Sequence, residues 1–404
     1  MSNLNGKRIV LGVSGGIAAY KAVDLASKLV QAGAIVDVIM TRSATEFLKP
    51  LSFEAITKRR VHIDVFEPWS ETEKGHISLA DEADLIVVAP ATANTIARLA
   101  YGLADDMLTV THLSATPRGV PLVVAPAMEH HMFIHPATQA NIATLQSRGA
   151  WIVGPEHGRL ASGAVGQGRL VAPERLVGVI EQALGATGPL VGRHLVVTAG
   201  ANREPIDPIR YLTNRSTGKM GYAIARAAIQ AGARVTLISA PTNLPAVEGA
   251  TFVSIETALE LRDAVERHAV GADALIMAAA VADYRPAEVA TDKIKKSDDD
   301  LAIRLTRNPD ILATVETPGT IRVGFAAETR DHEANALGKL ERKHLDMIVA
   351  NDARQAMGSD NNAVTIYYRD GRVEVLDRES KNDVGRAIVN RVADLIHSRA
   401  TTPV

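Results

Sequence analysis

Apolar positions along this chain fall into short runs. In the N-terminal half RIVLGV, IVDVIM, LIVVAP and PLVVAP are almost uninterrupted. Such runs fit strands buried on both faces of a parallel sheet. They predict strands at 8–13, 35–40, 85–89, 121–125 and 151–153. Between them the period becomes helical. After Gly15-Gly16, residues Ala18, Ala19, Ala22, Leu25, Ala26 and Leu29 share one side, and Lys21 and Lys28 are expected to turn outward. Further helices are predicted from about Asn94 to Tyr101 and from Pro136 to Arg148.

The second half repeats the alternation, with strands near 194–199, 234–239, 252–255, 274–279, 321–325 and 347–349. Residues 362–377 alternate apolar and polar around Asp370-Gly371 and predict a terminal hairpin. Residues 184–192, LGATGPLVG, carry no period and mark a boundary, giving domains 1–187 and 188–404. Each half opens with an apolar strand, a Gly-containing loop, an amphipathic helix, an Ala-Gly-Ala turn and a second strand. The fold class expected is α/β, two Rossmann-like domains, each able to hold a nucleotide-type ligand.

Bulk properties narrow this little. The 404 residues carry 44 basic and 46 acidic side chains, so nothing favours nucleic acid. There is no Cys, which excludes disulfides and thiol catalysis. No long apolar span occurs, and a cytoplasmic protein without a membrane partner is expected.

Candidate chemistry lies at predicted strand ends. Gly12, Ser14, Gly15 and Gly16 follow the first strand, where small residues let N–H groups face an anion. The second strand ends in Met40-Thr41-Arg42-Ser43 without the acid that a dinucleotide ribose needs, which favours a mononucleotide phosphate and disfavours an NAD(P)-dependent reductase. Then come His76, the loop Pro90-Ala91-Thr92-Ala93-Asn94-Thr95, the segment Pro126-Ala127-Met128-Glu129-His130-His131-Met132, and a Gly-rich flap, 158–169, with Arg159 and Arg169. In the second half, 197–220 holds Gly200, Asn202, Arg203, Glu204, Asp207, Arg210, Asn214, Arg215, Ser216, Thr217, Gly218 and Lys219, too polar for a plain connector. Met220 after Lys219 excludes a Walker loop. Asp283 ends a buried strand. Lys293 lies in the charge run 291–300, whose plain reading is a solvated loop. Asn308-Pro309-Asp310-Ile311, Gly324 to Thr329, and Lys339 with Lys343 at i,i+4 follow.

In this order SGGIAAYK, the His, PATANT, PAM-x-x-M and GRLASGAVGQGR, with NRSTGKMG, AAAVADYRP and KIKK, resemble the bacterial coenzyme A biosynthesis family that joins phosphopantothenoylcysteine decarboxylase to phosphopantothenate–cysteine ligase. The resemblance covers nearly the whole chain. It implies a flavodoxin-like flavin domain that uses FMN. Ser14, Gly15, Gly16, Thr41, Thr92, Asn94 and Thr95 would bind the flavin, Met128 would shape its ring pocket, and His76 would be the base or positioning residue. Glu129 stands where the family has an Asn that receives the substrate carboxylate. Ser162 stands where the family has a proton-donating Cys. Arg169 and Arg210 are assigned to substrate anions. The ligase half would convert 4'-phosphopantothenate, CTP and cysteine through an acyl-cytidylate. There Asp283 would bind Mg2+ and nucleotide, Lys293 would be catalytic, and Asn214 would act on the acyl-cytidylate. Met277, Ala278, Ala279, Asn308, Pro309, Asp310, Ile311, Phe325, Lys339 and Lys343 would line the CTP site. CTP rather than ATP, and a homo-oligomer of flavin-domain trimers and ligase-domain dimers forming a dodecamer, come from the resemblance alone. The alternative is an active ligase fused to an FMN-binding scaffold that does not decarboxylate.

Overall fold

The computed structural model describes residues 3–66, 75–296, 300–328, 332–352 and 358–401. The chain forms two compact units, Met1–Ala186 and Thr187–Val404.

The first unit is built on strands β1 (Arg8–Val13), β2 (Ile35–Met40), β3 (Val61–His62), β4 (Leu85–Ala91), β5 (Leu122–Pro126) and β6 (Trp151–Ile152), all parallel, in the order β3-β2-β1-β4-β5-β6. Apart from the two-residue edge β3, absent from the sequence-based prediction, the order along the sheet is flavodoxin-like, 2-1-3-4-5. A two-residue strand has too short a period to be read from sequence. Side chains alternate across the sheet. Ile9, Leu11 and Val13 pack with Leu25 and Leu29 on one face, and Val10 packs with Ile86 and Ile96 on the other. Burying each such aliphatic side chain stabilises the unit by about 1.5–3 kcal/mol. Ala19, Ala22, Leu25, Ala26 and Leu29 are buried as expected, and a 3₁₀ turn, Ile17–Ala19, precedes the helix Tyr20–Gln31. Lys21 does not face solvent freely: it is half-buried, and its Nζ donates to Leu170 O at 3.0 Å.

The flap is an antiparallel ribbon of β7 (Glu156–Arg159) and β8 (Val165–Arg169). On the helix Met107–Ala115, burial holds the His112 imidazole down at about 4, assisted by the Arg148 guanidinium. Between that value and the usual 6.5 the unfolded chain binds more protons than the folded one. Stability is therefore full above pH 6.5 and falls on acidification toward pH 4, by up to about 3 kcal/mol. A thermal melt of the full chain is expected to lose stability between pH 7 and 4.5. His112→Leu should flatten that slope, and an unchanged slope would contradict the assignment.

The second unit has β9 (His194–Ala199), β10 (Arg203–Pro205), β11 (Tyr211–Thr213), β12 (Arg234–Ser239), β13 (Thr251–Ser254), β14 (Ala274–Met277), β15 (Tyr284–Pro286), β16 (Leu305–Arg307), β17 (Ile321–Glu328), β18 (Met347–Asp352), β19 (Asn361–Tyr368) and β20 (Val373–Ser380). The main sheet runs β13-β12-β9-β14-β17-β18-β19-β20. Its first six strands are parallel in Rossmann order, and the β19–β20 hairpin closes it antiparallel. Two small ribbons, β10–β11 and β15–β16, were not foreseen. They are three-residue strands inside polar loops, with no alternation to betray them. Of the charge run, 297–299 lie outside the described residues, as does Thr329. No helix among the described residues is long and apolar enough to cross a membrane.

Candidate functional site

In each main sheet the chain order reverses beside the first strand, between β1 and β4 and between β9 and β14. The loops leaving those strands diverge there and open a crevice, the usual ligand position in such sheets.

In the first unit this crevice is tied from beneath by Ser14. Its side chain is 1% exposed, and Oγ donates to Pro90 O (2.8 Å) and accepts from Thr92 N (2.9 Å). Ser14 thus joins the β1 and β4 loops below the surface, whereas direct contact with a cofactor was expected. Gly15 lies against Ser43, where a Cβ would stand 2.4 Å from the Ser43 Cβ. Thr41 caps the 3₁₀ turn Arg42–Glu46 through Ala44 N (3.3 Å). Thr92 caps the helix Ala93–Tyr101 through Thr95 N (3.3 Å), and its Oγ1 lies 3.1 Å from that of buried Thr95. These hydroxyls spend lone pairs on main chain, so Thr41 retains its O–H to offer an anion. The helix start adds N–H groups and a favourable dipole.

Two cavities adjoin this framework. One, of about 930 Å³, is lined by Gly15, Thr41, Ser43, Thr92, Asn94, Thr95 and Arg98. The other, of about 630 Å³, lies under the flap and is lined by Gly15, Gly16, Lys21, Thr92, Met128, Glu129, Arg159, Ser162 and Arg169. Gly15, Thr92 and Met132 border both. Lys21, Arg159 and Arg169 make the second cavity cationic. The Lys21 ammonium is pushed below its usual value, first by burial and then by Arg169, with Glu156 opposing. Lys21 was missed because helical periodicity placed it on the solvent side, and only the flap's return covers it.

The flap is fastened at its base by Met128 N donating to Gly168 O at 3.0 Å. A Cβ on Gly168 would stand 2.1 Å from the Met128 carbonyl oxygen, so backbone would have to move. Gly168→Ala is expected to cost about 1–3 kcal/mol at this contact and to open the ribbon. Limited proteolysis of the flap should then accelerate by roughly tenfold, since 1.4 kcal/mol is a tenfold population change. Cleavage at the native rate would count against a closed flap.

Glu129 borders the flap cavity, but its carboxylate turns back to accept from His131 N (2.6 Å) and caps the helix His130–Ile134. This bond turns the carboxylate toward a helix start. His130 packs over Gly166 and approaches Gln167 O at 3.3 Å. Ser162 is exposed at the flap tip, its Oγ accepting from Ala164 N (3.4 Å). His76 begins the helix His76–Glu82 and lines neither cavity.

In the second unit the geometry is more convergent. A cavity of about 480 Å³ is bordered by Asn214, Met277, Ala278, Ala279, Asp283, Asn308, Pro309, Asp310, Ile311, Phe325, Lys339 and Lys343. Every nucleotide candidate except Lys293 is therefore on one wall system. Asn214 Nδ2 donates to Ala280 O (3.1 Å). Asp310 caps the helix Ile311–Thr314 and pairs with Lys343 at 2.8 Å. Lys219 and Lys381, unassigned from sequence, border the same cavity with Asn351 and Asn362. The Lys381 ammonium is lowered by burial and by Lys219. The two Asn come from adjacent ends of β18 and β19, a proximity no linear motif encodes.

Two expectations change here. Arg210 does not border the cavity. Its Nε and Nη2 bind Asp207 Oδ2 (3.0 and 2.5 Å), and Nη2 also donates to Ile294 O (3.0 Å). Asp207 is buried, accepts from Ile294 N (3.2 Å), and is held well below the usual carboxylate range, chiefly by Arg210. The pair thus pins the main chain next to Lys293. Lys293 itself is exposed and off the cavity lining. The Asn308 side chain is also committed internally: Nδ2 donates to Glu204 Oε1 (3.0 Å) and Ala282 O (2.8 Å), and Oδ1 accepts from Arg285 (3.1 Å).

Comparison with known proteins follows the same division. A family described as Flavoprotein matches residues 1–185. One described as DNA/pantothenate metabolism flavoprotein C-terminal domain matches residues 190–396. Among curated relatives, the coenzyme A biosynthesis bifunctional protein CoaBC of Bacillus subtilis is 48% identical over 97% of this chain and 98% of its own length. The Escherichia coli K12 protein of the same name is 44% identical over 96% of this chain and 97% of its own. A solved C-terminal domain of a CoaBC protein is 40% identical, covers 52% of this chain and all of that one, and superposes with a TM-score of 0.47.

Proposed function

The chain belongs to the family of bifunctional coenzyme A biosynthesis enzymes, a flavoprotein phosphopantothenoylcysteine decarboxylase joined to a phosphopantothenate–cysteine ligase, and we propose how its residues divide that work. The second unit ligates 4'-phosphopantothenate to cysteine with CTP, and the first decarboxylates the product to 4'-phosphopantetheine. The near-complete length of the match favours two activities over a flavin-binding scaffold.

One observation carries the ligase reading: candidates from five separate segments border one cavity at the sheet's switch point. The substrate carboxylate attacks the α-phosphorus of CTP, and pyrophosphate leaves. The cysteine amine then attacks the acyl carbon, and CMP leaves. Lys339, Lys343 and Lys293 offset phosphate charge, Asn214 orients the acyl group, and Met277, Ala278, Ala279 and Phe325 pack the nucleoside. Mg2+ would supply further charge neutralisation at the triphosphate. Asp283, a hard oxygen donor on the cavity border, would hold it beside the phosphates.

In the first unit FMN would supply the redox chemistry that lets a cysteinyl carboxylate leave as CO2. The small residue Gly15, the Thr41 hydroxyl, Asn94 and the helix start capped by Thr92 fit a phosphate-bearing flavin. Met128 lines the apolar side. Lys21, Arg159 and Arg169 suit the anionic substrate beneath the flap. Ser162 can relay a proton through water, since a hydroxyl is a weak acid. His76 would reach the site from a neighbouring copy, in keeping with a homo-oligomer.

Incubation with phosphopantothenate, CTP and cysteine, following pyrophosphate and CO2 separately, tests each half. Pyrophosphate is expected with CTP and much less with ATP. No pyrophosphate with either nucleotide would overturn the ligase assignment, and no CO2 from added phosphopantothenoylcysteine would overturn the decarboxylase assignment.

A further inference from the structure

Glu204, at the centre of β10, is 2% exposed, and the donors that meet its Oε1 are neutral N–H groups. A buried carboxylate without a counter-charge is costly unless hydrogen bonds satisfy it. Its Oε1 accepts three: from Asn202 Nδ2 (2.5 Å), Ala258 N (3.0 Å) and Asn308 Nδ2 (3.0 Å). The two amide side chains it holds then grip one stretch of main chain. Asn202 Oδ1 accepts from Ala282 N (2.8 Å), Asn308 Nδ2 donates to Ala282 O (2.8 Å), and Asn308 N donates to Asp283 O (2.8 Å). Ala282 and Asp283 are both on the cavity border.

We propose that Glu204 is a positioning residue for the nucleotide cavity: its buried carboxylate orients Asn202 and Asn308, and these fix the main chain at Ala282–Asp283 so that the Asp283 carboxylate stays on the cavity wall. This rests on reading that cavity as the CTP site. The carboxylate is the informative part. A neutral acceptor of the same shape would satisfy the same three donors, whereas an ionised one makes each bond roughly twice as strong. Glu204 is behind the cavity wall and does not border the cavity. A merely structural role would therefore weaken every ligand of the unit alike, while a positioning role weakens the one that meets Asp283.

The test uses the full chain and two variants. Glu204→Gln keeps the shape and removes the charge. Glu204→Asp keeps the charge and withdraws it by one methylene. Binding of CTP with Mg2+ and, separately, of 4'-phosphopantothenate is titrated calorimetrically, and amide exchange is followed at 280–284 and along β9. For E204Q the expected result is a fall in CTP affinity of roughly tenfold. Phosphopantothenate affinity should not change, and exchange should quicken at Ala282 while β9 stays protected. Unaltered CTP affinity in E204Q, or an equal loss for both ligands, would overturn the proposal. If E204Q loses β9 protection outright, E204D is judged by the same criteria. Should the unsubstituted chain ignore CTP, the reading of the cavity falls. The exchange rate at Ala282 then still decides whether Glu204 holds that segment.

Discussion

Replacing His76 by Asn is expected to cut CO2 release by a factor of roughly 10²–10⁴, the usual contribution of a positioned acid–base group. CTP-dependent pyrophosphate release should continue unchanged, because His76 belongs to the first unit and the proposed nucleotide cavity to the second. The half-buried imidazole begins the helix His76–Glu82 and borders neither cavity of its own chain. If the site is completed by another copy, the deficit should be complementable. Mixed oligomers of H76N and Arg169→Ala would contain some sites with both groups intact and recover part of the activity. Recovery that never exceeds the sum of the two single variants would place His76 outside a shared site, and full CO2 release by H76N alone would remove it from the chemistry.

The second large effect is expected at Lys293. Lys293→Ala should lower acyl-cytidylate formation by roughly 10²–10³, the scale on which one charge-stabilising group contributes to a transition state. Its neighbour Ile294 is bonded through both N and O to the Asp207–Arg210 pair, while the Lys293 side chain is exposed. On the proposed reading, Lys293 turns toward the cavity about that anchor when nucleotide binds. An interaction gained only on closing appears in kcat more than in KM for CTP. Pre-steady-state pyrophosphate release should therefore slow with little change in nucleotide binding. A loss confined to KM would make Lys293 a simple phosphate contact, and a rate within about threefold of the unsubstituted chain would remove it from the reaction.

Much of this molecule can be read from its linear order. The buried strands of both sheets are continuous apolar runs because both faces are covered, and the face of Tyr20–Gln31 that packs inward is the one its periodicity marks. The hairpin around Asp370-Gly371 announces itself by alternation and turn residues. Short elements escaped: β3, β10, β11, β15 and β16 are two or three residues long, too few for a period to develop.

Candidate site residues, judged only by whether they border a cavity, divide in a parallel way. Gly15, Thr92, Asp283 and their neighbours were accessible because a parallel strand must end in a loop at the ligand edge, so a polar or small residue there has a position as well as an identity. Partners were not accessible. That Ser14 bonds inward, that Glu129 caps its own helix, that Arg210 serves Asp207, and that Glu204 gathers Asn202 and Asn308 are facts of distance between segments far apart in the chain. Sequence by itself determined the two α/β units and the strand tips at which chemistry can occur, because burial and periodicity are local properties. Only the tertiary structure decided which polar groups face a cavity and which are consumed in holding it. A hydrogen bond depends on separations of about 3 Å between atoms whose sequence distance carries no geometric information.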